Sequence, residues 1–191
     1  MGVIIGLRDP HFAKLIQDDN LGALYDVPTK IANAISASVT PNASSTSLYA
    51  DDIIVAQTNS LGAIEVELEI DKLPSEVVED LLGAKKNADG VLEFGADDQA
   101  PYVAFGFKSP LSNGGFKYVW LTKGKFSQPT SNFTTKGESV EYQTRTISGT
   151  FMAREFDTTW KYEVDTHDLT DQAIANAWFN EVYEPAVEPQ A

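Results

Sequence analysis

The chain contains no cysteine. A disulfide scaffold, a thiol nucleophile and thiolate metal sites are excluded together, and folding in a reducing compartment is expected. Histidine is scarce as well: His11 and His167 are the only two, and they are far apart in the chain, so no pair of histidines stands at ligand spacing. A catalytic histidine needs a nucleophile and an orienting group, and no Gly-x-Ser-x-Gly elbow, P-loop or dinucleotide fingerprint provides them. Cations are few, with 14 Lys and Arg against 28 Asp and Glu, for a formal charge of −14. Such a surface repels polyanions, and Lys117, Lys123 and Lys125 beside their aromatics make a poor nucleic-acid footprint. No apolar run approaches a membrane span. The opening Met1-Gly2-Val3-Ile4-Ile5-Gly6 is too short and too poor in base for a signal peptide, and Gly6 stands where a myristoylation motif needs Ser or Thr. No membrane partner and no export signal are therefore expected.

The acidic pairs Asp18-Asp19, Asp51-Asp52 and Asp97-Asp98 lack the spacing of an EF-hand loop and read as surface turns. Asn42-Ala43-Ser44 and Asn132-Phe133-Thr134 match glycosylation sequons but stand without a secretion signal. The expectation is a protein with no catalytic residue, no cofactor and no metal.

What the chain does contain is β pattern. In Ile64-Glu65-Val66-Glu67-Leu68-Glu69-Ile70-Asp71 apolar and acidic residues alternate strictly. Successive strand side chains point to opposite faces, so Ile64, Val66, Leu68 and Ile70 enter a core while Glu65, Glu67, Glu69 and Asp71 line the other face. Further strands are predicted at residues 30–39, 47–57, 61–70, 102–108, 116–126, 139–154 and 158–164, each rich in β-branched and aromatic residues between turn formers. At 116–126, alternation sets Phe116, Tyr118, Trp120 and Thr122 against Lys117, Val119, Leu121 and Lys123. Asn113-Gly114-Gly115 reads as a hairpin turn and Asn87-Ala88-Asp89-Gly90 as a weaker one. Pro74 opens a helix with the stripe Val77, Val78, Leu81 and Leu82, closed by Gly83. A second helix is expected over 170–183, with Ile174, Trp178 and Val182 on one face. Residues 8–29 and 40–60 look less packed. If the halves of the latter pair, they form a hairpin extending past the sheet, and an isolated hairpin is marginal in water. With 42% apolar residues and no evident linker, the 191 residues read as one folded domain.

Several strings together resemble the major tail tube protein of long-tailed, siphovirus-type bacteriophages. They are Gly6-Leu7-Arg8-Asp9-Pro10-His11-Phe12-Ala13, Pro28-Thr29-Lys30, Leu48-Tyr49-Ala50-Asp51-Asp52, and the acid-alternating strand followed by Leu73-Pro74 and Leu81-Leu82-Gly83. Tyr142-Gln143-Thr144 with Gly149-Thr150-Phe151 completes the set, and Arg145 departs from the family pattern there. The resemblance implies a mainly β fold: a β-sandwich or partial barrel flanked by an α-helix, with a long stacking loop and extended terminal arms. On it, residues 1–191 form a single tail tube domain, with an N-terminal arm (1–29), a long stacking loop (41–60), a flanking helix (73–83) and a C-terminal helix and arm (166–191).

The resemblance further implies a structural virion protein without catalysis. Six copies form a ring, rings stack into a tube, and DNA passes through without specific binding. It implies the tape measure protein, the tail tip and the tail terminator as partners, and assembly in the host bacterial cytoplasm. Glu65, Glu67, Glu69 and Asp71 are then expected to face the lumen, and Leu48, Tyr49, Ala50, Asp51, Asp52, Ile53 and Ile54 to lie at the ring-stacking contact. The alternatives are a tail terminator or secretion-tube-like ring protein, and a monomeric β-sandwich that binds carbohydrate or a cell surface. An aromatic groove at Trp120 or Trp160 would mark the last of these.

Overall fold

The period-two pattern is realised as one antiparallel sheet in a computed structural model. It describes residues 2–50, 52–129, 135 and 144–185, with Ala50 as backbone alone. The strands are β1 (Arg8–Asp19), β2 (Gly22–Tyr25), β3 (Thr29–Lys30), β4 (Ala34–Ala50), β5 (Ile53–Ile70), β6 (Lys85–Lys86), β7 (Leu92–Glu93), β8 (Val103–Pro110), β9 (Phe116–Phe126), β10 (Arg145–Met152) and β11 (Lys161–Asp165). The helices are α1 (Ser75–Leu82) and α2 (Gln172–Ala177). The sheet runs β2-β1-β8-β9-β10-β5-β4, with β3 beside β1 and β11 beside β9; β6 and β7 form a separate ladder. On the side away from β8, β9 pairs first with β11, over Lys117 to Leu121, and then with β10, over Lys123 to Phe126. The sheet divides there, and the fold is mainly β, in keeping with a sandwich or partial barrel.

Two apolar clusters cover opposite faces. In the larger, Ile64, Val66, Leu68 and Ile70 of β5 meet Phe105, Leu121, Phe126, Ile147 and Phe151, with Val77, Val78, Leu81 and Leu82 of α1 above them. The stripe predicted for α1 is thus its buried face, and Gly83 ends the helix at φ 74°, a left-handed conformation that glycine adopts cheaply. In the smaller, Ala13, Ala104, Tyr118 and Trp120 meet Ala175, Trp178 and Val182. The second helix is shorter than the predicted 170–183. Asp171 caps its start by accepting from the Ala173 amide at 2.8 Å. The Trp178 carbonyl accepts from Trp120 Nε1 at 3.0 Å, which ties the end of the helix to the sheet.

Three expectations need correction. Residues 8–29 do not lie loosely. They contain β1 and β2, and Phe12 and Ala13 are buried. Spacing did not reveal β1 because both of its faces are covered, Phe12 by the larger cluster and Ala13 by the smaller, and because its register shifts between Arg8 and His11 and between Leu15 and Gln17. Residues 47–57 are not one strand. Ala50 pairs with Ile53 and Asp52 adopts φ 64°, so a turn falls inside that run, hidden by apolar residues on both sides. Finally, β9 carries one extra residue between its pairings Phe105↔Leu121 and Val103↔Gly124. That bulge breaks the grouping of Lys123 with Leu121, and Lys123 instead reaches Asp18 at 2.6 Å. Of the strand predicted at 139–154, residues 145–152 form β10, and 139–143 lie outside the described residues.

Packing across β8 and β9 is tight enough to exclude a methyl group. A Cβ on Gly106 would stand 2.5 Å from Cε3 of Trp120, whose ring is fully buried. Gly106→Ala is expected to destabilise the protein by about 1–3 kcal/mol, read as a lower urea midpoint at unchanged m-value.

Asp9, at φ 52°, anchors the first register shift of β1 and binds Lys108 at 2.8 Å and Lys30 at 2.9 Å. Hydrogen bonds from those two ammonium groups lower its pKa from 3.8 to about 2. A carboxyl whose folded pKa is depressed adds stability above its unfolded pKa and loses it as pH falls through the folded value. Asp9→Asn is therefore expected to cost up to about 1 kcal/mol at neutral pH, as for a partly exposed pair. That difference should vanish between pH 4 and pH 2, read by paired denaturation curves.

Candidate functional site: a carboxylate face and a projecting hairpin

β5 performs two tasks along one strand. Its second half is the alternating segment, in which Ile64, Val66, Leu68 and Ile70 are fully buried while Glu65 and Glu67 are exposed and Glu69 is partly so. This half lies between β10 and β4. Cross-strand neighbours share a face, and the register surrounds every glutamate with hydroxyls. Glu65 sits between Thr40 and Thr150, Glu67 between Ser38 and Ser148, and Glu69 between Ser36 and Thr146. Asp71 follows just beyond the strand end, where its carboxylate accepts from Asn33 Nδ2 at 2.8 Å.

Among the described residues, none of these four carboxylates forms an ion pair. Neutral donors serve three of them instead. Glu69 accepts from Thr144 Oγ1 at 2.6 Å and from Ser36 Oγ at 3.0 Å, and Glu65 accepts from Asn42 Nδ2 at 3.2 Å. The Thr144 and then the Ser36 hydroxyl hold the Glu69 carboxyl below its ordinary pKa, and Asn33 does the same for Asp71. The result is an unneutralised acidic strip in a field of small hydroxyls, with no aromatic group beside it in the register.

The first half of β5 leaves the body of the protein. From Ala43↔Leu61 outward to Ala50↔Ile53, each strand pairs only with the other among the described residues. Leu48, Tyr49, Ile53, Ile54 and Val55 are all more than half exposed. Asp52 is exposed at the turn, Ala50 is described as backbone, and Asp51 lies outside the described residues. A two-stranded ribbon with apolar side chains on show is marginal in water by itself. The 17-residue β4 is also the last strand of the sheet, with one side of its backbone unpaired among the described residues. Long edges of this kind are templates for further pairing.

Trp120 and Trp160 do not form an aromatic groove. Trp120 is fully buried, and Trp160 packs against the larger core. Asp18 is engaged by Lys123 and by the amides of Glu155 and Phe156, and Asp98 by the amide of Gly95. His11 is stacked on Phe179 at 4.3 Å between ring centroids, and burial lowers its pKa. These groups hold the fold.

The hydroxyl neighbours were missed in the sequence, although Ser36-Ala37-Ser38-Val39-Thr40 and Thr146-Ile147-Ser148-Gly149-Thr150 carry the same period of two. The buried hub at Arg154 left no such signal. Its guanidinium grips Asp157 through Nε at 2.7 Å and Nη2 at 2.8 Å, and also binds Glu184, Tyr25 and Tyr162. Burial pushes the Tyr25 phenol up to about 12, while the Arg154 contact pulls Asp157 well below the carboxylate range. The hub ties the segment after α2 to β2 and to the loop after β10.

The body is mainly β, and its apolar ribbon and one sheet edge are unpartnered among the described residues. The family model of the phage tail tube protein matches residues 24–187. The chain belongs to the phage tail tube protein family and is a structural component of the virion. A search of curated proteins finds no match. No helix among the described residues is long and apolar enough to cross a membrane.

Arg154→Met leaves Asp157 and Glu184 without their cation. Removing one partner of a buried pair is costly, and the partial exposure of both carboxylates moderates it. The expected loss is about 2–3 kcal/mol, with earlier proteolytic release of the segment after α2 in a timed digest.

Proposed function

We propose that this protein is a tail tube subunit that forms rings of six copies stacked into a tube, with Glu65, Glu67, Glu69 and Asp71 lining the channel through which DNA is ejected. The observation that carries the reading is the acidic strip on β5, flanked by hydroxyls and unpaired with any cation among the described residues. DNA presents a dense phosphate charge, and like charge at close range keeps it from adhering. A short polar surface without aromatic groups also offers the bases nothing to stack on. Such a wall passes DNA without specific binding.

The ring disposes of the exposed edge. Head-to-tail contacts between identical copies close into a ring when their rotation closes, and they remove the unpaired side of β4. Leu48, Tyr49, Ala50, Asp51, Asp52, Ile53 and Ile54 then form the stacking contact with the neighbouring ring, which covers an otherwise unsupported ribbon. The protein works without catalysis or cofactor. Its partners are further copies of itself, the tape measure protein that occupies the tube, and the tail tip and tail terminator at its ends, and the tube is assembled in the host bacterial cytoplasm. Burial of Trp120 speaks against a carbohydrate-binding module. A terminator stops at one ring, where a long projecting ribbon would have no successor to engage.

Negative-stain microscopy of the concentrated protein is expected to show rings or tubes of uniform width with a central hole. The double variant Glu67→Lys, Glu69→Lys is expected to form tubes of the same width but to eject DNA several-fold more slowly, measured by dye uptake after triggering phage that carry it. Ejection at the normal rate from such phage would move these carboxylates off the channel wall.

A further inference from the structure

The end of β5 remote from the hairpin tip carries a groove whose chemistry answers the tip. It lies between α1, β7 and the start of β10, encloses about 470 Å³, and is lined chiefly by Leu73, Val78, Leu82, Leu92, Phe94 and Arg145. Phe94 is 54% exposed, an open apolar surface at its mouth. Arg145 forms no ion pair among the described residues, in a chain with twice as many acidic as basic side chains. A cation with no acidic partner among the described residues, beside an apolar floor, fits an apolar element that carries acid. The hairpin tip has that composition, with Tyr49, Ile53 and Ile54 exposed around Asp52.

Position along β5 settles which copy can supply it. Arg145 pairs with Ile70 at one end of this strand, and the tip turns at Ile53 at the other. The strand is 18 residues long, roughly 55 Å of extended chain. A copy cannot fill its own groove with its own tip. Tip and groove at opposite ends make a heterologous contact that repeats without limit along one axis, the geometry of an open filament.

We propose that in the assembled tube the hairpin tip of one copy seats in the α1–β7 groove of a copy in the neighbouring ring. Tyr49, Ile53 and Ile54 cover Leu73, Val78, Leu82 and Phe94, and Asp52 meets Arg145. The inference rests on the ring-stacking reading above and names the receiving surface that reading leaves open.

The test is a charge exchange read by sedimentation and electron microscopy. Arg145→Glu is expected to raise the protein concentration needed for tube growth about tenfold or more, since like charges juxtaposed at an interface cost several kcal/mol, while single rings persist. Adding Asp52→Lys to Arg145→Glu is expected to recover tube growth relative to either single variant. The left-handed φ at position 52 burdens the single and double variants alike, so the comparison isolates the pair. Thermal melts of the unassembled subunit guard against misfolding, and Arg145→Glu is expected to leave them unchanged. Normal tube growth by Arg145→Glu, or failure of the double variant to recover, overturns the proposed contact and leaves the tube itself standing. A lowered melting temperature of the free Arg145→Glu subunit also overturns it, because the groove then serves the same chain. Absence of tubes from the unaltered protein refutes the stacking reading together with this contact.

Discussion

The register of β5 between β10 and β4 is the constraint on which the rest of the structure depends. A slip of one residue would carry Glu65, Glu67 and Glu69 into the cluster under α1 and expel Ile64, Val66 and Leu68. Each buried carboxylate would then lack a partner, at a cost of several kcal/mol apiece. No alternative pairing is competitive. With the register held, α1 has an apolar surface to cover, the acidic strip has one fixed face, and the strand has one direction in which to project its other half.

The segments legible in the sequence were those where one physical rule acted alone. Ile64 to Ile70 and the α1 stripe are simple periods facing a single core, and each was readable from spacing. Where two rules compete, spacing fails. On β1 and β9 both faces are covered, so neighbours such as Phe12 and Ala13 or Trp120 and Leu121 are buried in different clusters, and register shifts interrupt the period further along each strand. The hairpin turn was concealed because apolar residues flank it, and a tip that stays exposed in the free subunit looks like a buried strand in one dimension. The Arg154 hub joins residues far apart in the chain, which no local pattern encodes. The acidic half of the candidate site was therefore visible beforehand, whereas its hydroxyl surroundings needed the register that sets β4 and β10 beside it.

Rigidity and exposure are also distributed for a reason. The body is closed by two apolar clusters and by ion pairs at Asp9, Lys123 and Arg154, so its shape is set before any partner arrives. The ribbon has no such support among the described residues. Among the described residues its two strands bond only to each other, its side chains bury little, and ordering it against a partner is where binding free energy can be gained. A prebuilt body with an unsupported reach suits an assembly that grows by adding rings.

The charge that would suit the proposed channel also opposes its construction. A net charge of −14 keeps free copies apart and soluble, and in the proposed ring the acidic strips of neighbouring copies converge on one lumen. At physiological salt such repulsion is screened beyond about 8 Å, so what remains acts mainly where strips come close. Contacts of short range must exceed it. Backbone pairing along the free edge of β4 and apolar burial at the hairpin tip are both of that kind, and neither is weakened by carboxylates on the opposite face of the sheet. The alternation of β5 is what separates the two requirements. One strand sets its carboxylates on one face and its apolar residues in the core, and in the proposed tube its extension would carry the cohesive surface out to where another ring stands.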